Sequence, residues 1–219
     1  MKKTARKTRR QQLAEKAMIA KKHVDAANSL ENPLNLALRN YKPLNGDTIS
    51  LKCNKVGDLN SETLDWIFDL MERNMKTIYE ETWGWDPKKK QQELTEPAAW
   101  YLIATDSSGK LIGFSHFRFD MDYGEEVLYC YELQIEPTAR RKGLGRCLMI
   151  ALESMALENH MQKVILTVCK KNFIAVPFFH KLGYKLDKTS PPESENRHYV
   201  ILSKKQLSSS RNATSIEKL

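Results

Sequence analysis

The segment Arg140-Arg141-Lys142-Gly143-Leu144-Gly145 constrains this chain more than any other. It stands between a strand-like run, Val127 to Ile135, and an amphipathic run from Leu144 to about Leu157. Glycines at alternate positions leave the backbone free to close on an anion at a helix N-terminus, where the first amides lack intrahelical partners. Three cations precede the glycines. A dinucleotide fingerprint would need Gly-x-Gly-x-x-Gly with a later acidic residue, and a P-loop would need Gly-Lys-Ser/Thr; neither is present. An ordinary strand-to-helix turn accounts for such a motif equally well, so the flanking elements must decide.

Read outward from that turn, the pattern is specific. Asp47 to Lys55 alternates apolar Ile49, Leu51 and Cys53 and predicts a strand. Leu64, Ile67, Phe68, Met71, Met75 and Ile78 recur at helical spacing after a cap near Asn60 or Ser61. Asp86-Pro87 opens a short polar helix. Trp100–Thr105 and Leu111–Phe119 are strands joined by the hairpin turn Asp106-Ser107-Ser108-Gly109, and Val127–Ile135 makes a third. After the glycine turn and its helix come a strand, Lys163–Val168, a helix, Asn172–Lys181, ended at Gly183, and a last strand, His198–Ser203.

The formal net charge of +8 has a local source. Residues 1–22 hold nine Lys/Arg against Glu15 alone, so the remainder is neutral and the basic character describes an arm rather than a nucleic-acid-binding domain. Residues 1–30 read as a basic helix with Leu13, Ala17, Ala20 and Val24 on one side, expected to dock because the stripe would otherwise be exposed. Lys42-Pro43 and Asn45-Gly46 interrupt the chain beyond it. No run approaches the ~20 apolar residues of a membrane span. Without an apolar leader core, cytoplasm and nucleus are the expected locations. Cys53, Cys130, Cys147 and Cys169 are widely spaced and predict reduced, partly buried thiols with no metal site.

The element order and the Arg-x-x-Gly-x-Gly turn together resemble the GCN5-related N-acetyltransferases over roughly residues 47–203. That resemblance implies an α/β fold with a mixed, mostly antiparallel sheet flanked by helices and an N-terminal helical extension. It divides the chain into a basic extension (1–46), an N-acetyltransferase domain (47–205) and a disordered tail (206–219). A narrower resemblance rests on Asn74-Met75-Lys76-Thr77-Ile78-Tyr79, Trp83-Gly84-Trp85, Phe114-Ser115-His116-Phe117-Arg118-Phe119-Asp120 and Glu125-Glu126-Val127-Leu128-Tyr129-Cys130-Tyr131-Glu132. With the basic N-terminal helix, these stretches are similar to the N-alpha-acetyltransferase D family. That family acetylates the N-terminal serine of histone four and histone two-A, whose tails begin Ser-Gly-Arg-Gly. The Ser/Lys-rich C-terminal tail departs from the family's Cys/His-rich one.

On their own, the residues from Phe119 to Pro137 carry Asp120, Asp122, Glu125, Glu126, Glu132 and Glu136 with no Lys or Arg, which predicts a local negative field drawing a cationic substrate. A solvated acidic loop is the bland reading of Glu125 and Glu126. Tyr129 and Tyr131 share a strand face by period two and Glu132 takes the other, unless a bulge breaks the alternation. Tyrosines on a half-buried strand are most often packing residues, and Trp83 and Trp85 can simply anchor their loop.

The resemblance implies acetyl-CoA as cosubstrate, with no metal. It assigns the substrate pocket to Tyr79, Trp83, Tyr129, Tyr131 and Tyr199, and recognition of an α-ammonium and a following Arg to Asp120 and Asp122. Glu132 is the candidate general base, acting through an ordered water; its bland alternative is a salt-bridged strand residue. Tyr199 and then Tyr131 are candidates to protonate the leaving thiolate. Leu133, Gln134 and Ile135 are assigned to the oxyanion donor and the pantetheine amides. Arg140, Arg141, Lys142, Gly143, Leu144 and Gly145 are assigned to the pyrophosphate, and Asn172 to the cofactor unless it is an ordinary helix cap.

Histone N-terminal tails are the expected partners, with ribosome association a further one and no obligate auxiliary subunit or membrane. Two other readings stay open at this point: a lysine or polyamine acetyltransferase on the same fold, and a non-catalytic chromatin- or ribosome-associated module tethered through residues 1–22.

Overall fold

The computed structural model describes residues 8–41 and 48–205. The turn at Asn45-Gly46, the start of the basic arm and the 206–219 tail lie outside them. Thr8 opens α1 (Arg9–Asn28) with a reciprocal cap: its Oγ1 accepts from the Gln11 N–H at 3.3 Å and its own N–H donates to Gln11 Oε1 at 2.9 Å. Two short strands' worth of chain follow, β1 (Asn40–Tyr41) and β2 (Ile49–Lys55). Asn60 caps α2 (Ser61–Glu80) by accepting from the Thr63 N–H at 2.9 Å. Asp86 caps α3 (Pro87–Leu94) by accepting from the Lys89 N–H at 3.1 Å, with Pro87 in the first turn as expected.

Three antiparallel strands come next: β3 (Trp100–Thr105), β4 (Leu111–Asp122) and β5 (Glu125–Ile135). Asp106 closes the first hairpin by accepting from the Ser108 and Lys110 N–H groups at 2.9 and 3.0 Å. The second hairpin is longer than the sequence predicts, running to a tight turn at Tyr123 and Gly124, both at positive φ. The glycine turn then leads into α4 (Leu144–Glu158), followed by β6 (Lys163–Cys169), α5 (Ala175–Lys181), β7 (Lys185–Leu186) and β8 (Tyr199–Lys205). Helix α5 starts three residues after Asn172, whose side chain accepts from the Ala175 N–H at 3.1 Å and shapes a turn before the helix. Strand β7 has only two residues and no sequence signature.

The sheet order is β1-β2-β3-β4-β5-β6-β8-β7, antiparallel throughout except where β5 meets β6. Alternation along the strands divides the core by face. Leu51, Cys53, Trp100, Leu102, Phe117 and Leu128 pack with α4, whereas Tyr101, Ile103 and Phe114 pack with Ile67, Leu70 and Met71 of α2. Helix α1 joins the α4 side through Ala20, Val24 and Ala27, all buried, while Leu13 and Ala17 of the predicted stripe stay exposed. Only the C-terminal half of the helix therefore docks. Its lock is Asn28, which donates to the Phe119 carbonyl at 2.9 Å and accepts from the indole N–H of buried Trp100 at 3.2 Å.

Asn28→Ala strands both of those groups. An unsatisfied buried donor or acceptor costs about 1–3 kcal/mol, so the urea midpoint should fall accordingly and α1 should become the first site of limited proteolysis.

Candidate active site

The site is built where β5 and β6 part. Their parallel pairing runs from Val127–Lys163 to Cys130–Leu166 and stops, although β5 continues to Ile135 and β6 to Cys169. Beyond Cys130 the β6-facing edge of β5 has no strand partner among the described residues, so an open wedge of backbone is left between the strands. A cavity of about 560 Å³ occupies it, floored by β5 and β6 residues and walled by α2, α3 and the start of α5.

A bulge decides which side chains enter. On β4, His116 pairs with Glu132 but the next residue, Phe117, pairs with Cys130, so Tyr131 is the extra residue of β5. Tyr131 and Glu132 consequently point to the same α2/α3 face as His116, correcting the alternation that puts them on opposite faces. Cys130 faces the α4 side, where burial pushes its thiol up to about 12 and leaves it unreactive.

Aromatic rings form much of the lining. Tyr79 meets Trp83 edge-on at 4.9 Å, Trp83 meets Tyr199 edge-on at 6.4 Å, and Tyr129 and Tyr131 lie 4.8 Å apart. Tyr129 is anchored by its hydroxyl, 2.6 Å from Thr167 Oγ1. Tyr131 stacks on His116 at 5.1 Å and His116 on Tyr101 at 5.2 Å. Burial pushes the His116 imidazole down to about 3, so it is a neutral spacer in that stack. Tyr199, at the start of β8, pairs with Cys169 of β6 and stands beside the cavity rather than among its lining residues.

Glu132 lies buried at the floor. Its Oε1 is 3.2 Å from Lys90 Nζ and its Oε2 accepts from the Gln134 amide at 2.9 Å. Burial raises its proton affinity above that of an ordinary glutamate, with Lys90 pulling the other way. The same lysine donates to Tyr79 Oη at 3.0 Å and contacts Glu93 at 2.9 Å. Sequence reasoning missed Lys90, Glu93, Glu96 and Arg118, all of which line the cavity. Lys90 sits in a polar run with Lys88 and Lys89 and carries no distinguishing signal. Arg118 had one: polar His116, Arg118, Asp120 and Asp122 repeat at period two along an otherwise apolar strand, which marks a polar face.

Asp120 and Asp122 lie farther along that face, outside the cavity lining. The carboxylates in the cavity are Glu93, Glu96 and Glu132. The expected negative field is also largely compensated. Asp122 is 3.6 Å from Lys163, Glu125 is 2.6 Å from Lys188, Glu132 meets Lys90, and Glu136 is 3.0 Å from Arg73. Glu126 is buried against His23 and Gln162. Asp120 stays exposed, its carboxylate accepting from the Met121 N–H at 2.7 Å.

The glycine turn sits at the other end of the wedge. Gly143 adopts φ +86°, a conformation open to glycine at little cost, and turns the chain into α4. Gly145 serves packing: a Cβ there would lie 3.1 Å from Phe178 Cζ and 3.2 Å from Ile135 Cδ1. Leu144 turns its side chain into the core. Arg140 folds back, donating through Nε to the Ile135 carbonyl at 3.1 Å and through Nη2 to Asn74 Oδ1 at 2.5 Å, and so ties the end of β5 to α2. Arg141 and Lys142 are exposed beside the first-turn amides of α4. An open strand edge leading to these amides and cations fits an extended, amide-bearing chain that ends in phosphates. Asn172 and Leu133 line the same cavity.

Gly143→Ala forces an L-residue into the left-handed region at a cost of about 1–2 kcal/mol. A lower urea midpoint with an unchanged slope should report it.

The sequence pattern of the acetyltransferase (GNAT) family matches residues 64–184, from within α2 through the glycine turn to just past α5. Mycothiol acetyltransferase of Salinispora tropica is 31% identical over 105 residues, covering 46% of this chain and 34% of that protein, so the match spans about a third of the relative's length. Among solved structures, the PaiA N-acetyltransferase of Thermoplasma acidophilum in complex with coenzyme A aligns with TM-score 0.53 at 18% identity, over 71% of this chain and 99% of that one. The ribosomal-protein-S18-alanine N-acetyltransferase of Escherichia coli aligns with TM-score 0.51 at 17% identity, over 74% and 97%. At those identities the structural likeness speaks for the fold alone. With the family pattern covering more than half of its residues, the chain belongs to the acetyltransferase (GNAT) family.

Proposed function

We propose that this protein transfers an acetyl group from acetyl-CoA to the N-terminal α-amine of a peptide beginning with a small residue, the Ser-Gly-Arg-Gly terminus of histone four and histone two-A being the substrate class. The observation that carries this reading is the buried Glu132 carboxylate at the floor of an aromatic-walled cavity opening onto the unpaired edge of β5.

Acetyl-CoA supplies an activated thioester. The chain's part is to hold it along Leu133–Ile135, to meet its phosphates at the Gly143 turn, and to deprotonate the acceptor amine. A peptide α-amine titrates at about 7.7–8.0, against about 10.4 for a lysine side chain. A single carboxylate of raised proton affinity is matched to the weaker task. In this reading Glu132 takes that proton, directly or through a water, and a tyrosine, Tyr199 beside the cavity or Tyr131 in its lining, returns one to the leaving thiolate.

In this reading the rings of Tyr79, Trp83, Tyr129 and Tyr131 wall the pocket for the first residues, which favours serine and glycine over a bulky first residue. Glu93 and Glu96 at the wall, with exposed Asp120 beyond, suit a cationic third residue. Histone tails as partners and a nuclear as well as cytoplasmic location follow from this reading, as does association with ribosomes where new N-termini emerge.

Acetyl-CoA turnover on a Ser-Gly-Arg-Gly-Lys-Gly peptide with a free or blocked N-terminus tests it. Turnover should require the free amine, fall about 10²–10⁴-fold in Glu132→Gln as for loss of a positioned base, and fail when tryptophan replaces the first serine. In the wild type, kcat/KM should decline on acidification at a pH above the ordinary glutamate range, because the raised Glu132 must be deprotonated to act. Equal turnover on the blocked peptide would move the acceptor to a lysine or polyamine amine.

A further inference from the structure

Glu132 as the general base leaves a physical problem unsolved: a carboxylate removed from water is neutral at working pH unless something holds its charge. The surroundings narrow what that can be. From β3, Tyr101 faces the carboxylate, and from α2, Tyr79; burial raises both phenols, so both stay uncharged. From β4, His116 is neutral for the reason given above. Arg118, also on β4, is engaged elsewhere, with Nη1 2.7 Å from Glu96 and its guanidinium 4.4 Å from the Tyr131 ring centre. On β5, the Cys130 thiol is protonated and Gln134 donates a neutral hydrogen bond. That leaves α3, which brings one cation, Lys90, and one competing anion, Glu93.

We propose that Lys90 is a positioning residue for the transfer reaction: its ammonium, 3.2 Å from Glu132 Oε1, keeps the base charged and aimed into the cavity, and Glu93 sets how much of that charge Glu132 receives. This rests on the reading of Glu132 as the base. Lys90 is itself buried, which alone would favour its neutral form, but Glu132, Tyr79 and Glu93 together hold it protonated. Its three contacts fix it in place: Tyr79 Oη at 3.0 Å, Glu93 at 2.9 Å and Glu132. Gln134 holds Oε2 from the far side, so both carboxylate oxygens are pinned. Glu93 is partly exposed, so a substitution there alters the charge without opening the core.

Two substitutions should act with opposite signs. Lys90→Met removes the counter-charge and must raise the pH at which Glu132 ionises; Glu93→Gln removes the competitor and must lower it. Carboxyl NMR on protein carrying isotope-labelled glutamate, with the Glu132 resonance assigned by its absence in Glu132→Gln, reads the ionisation without any assay of activity. The acid limb of kcat/KM should follow the same directions. In Lys90→Met, kcat/KM at neutral pH should fall roughly ten- to a hundredfold, within the ~10²–10⁴ a positioned base contributes, and recover as pH rises. Lys90→Arg, which keeps the charge, should restore most of it.

An unmoved Glu132 resonance, with activity lowered equally at every pH, would make Lys90 a structural residue and overturn the inference. A resonance that moves as expected while the activity profile ignores it would uphold the Lys90 coupling and sink the base assignment instead. Should Lys90→Met fail to fold, Glu93→Gln decides: a midpoint that stays or rises contradicts the proposal.

Discussion

One unmatched residue in a strand organises this molecule. Because Tyr131 has no partner opposite it on β4, Glu132 is carried round to the face already occupied by Tyr129 and Tyr131, and the chain beyond it diverges from β6. Without the bulge, Glu132 would face the apolar layer under α4, where Leu128, Cys130, Leu148 and Leu152 pack and no cation is at hand. A buried carboxylate there would be neutral and inaccessible. The same local twist that re-aims the side chain also opens the strand edge, so the buried carboxylate and the backbone wedge arise from a single irregularity.

The bulge in turn depends on what holds the two sheet faces. Helix α4 supplies a dense apolar layer, and α1 completes it from the other end through Val24, Ala27 and the Asn28 clasp. On the opposite face, α2 and α3 are polar where they approach the wedge: Asn74 donates to Gln134 and to the Ile135 carbonyl, and Lys90 reaches Glu132. Arg140 ties the same carbonyl. The unpaired end of β5 is therefore held by side chains from α2 and the glycine turn in place of a neighbouring strand, which leaves its β6-facing edge open while keeping it from collapsing.

Much of this was legible in the chain. Alternation located β2, the hairpin signal located β3 and β4, apolar runs located β5, β6 and β8, period 3.6 located α2 and α4, and a cap near Asn60 or Ser61 and another at Asp86 were readable in the sequence. Local chemistry failed where tertiary contacts decide. The two-residue strand β7 exists because β8 offers it an edge, not through any propensity of Lys185-Leu186. Leu13 stays exposed although it belongs to the same helical stripe as Val24, because the buried residues of α1 begin only at Ala20. Gly145 and Arg140, assigned to the pyrophosphate by the family resemblance, also have tertiary roles that spacing does not reveal: the missing Cβ of one lets Phe178 approach, and the guanidinium of the other bonds Asn74 and the Ile135 carbonyl. Lys90 was invisible because a buried lysine and a solvated one are the same letter.

The charge census of the cavity bears on which amine it can take. Glu93, Glu96 and Glu132 face Lys90 and Arg118, three anions against two cations. The walls thus carry a small net negative charge, enough to draw one ammonium and too little to stabilise several. Were the cations absent, three close carboxylates would repel one another, take up protons and lose the attraction. Were they more numerous, the approaching amine would be repelled. An acceptor whose ammonium titrates near neutrality, as a peptide α-amine does at about 7.7–8.0, keeps a sizeable neutral fraction and needs only this slight bias. Under the proposed reaction, one that enters fully charged, as a lysine side chain does, would ask Glu132 to remove a proton held more than two pH units more tightly, at about 10.4 against about 8.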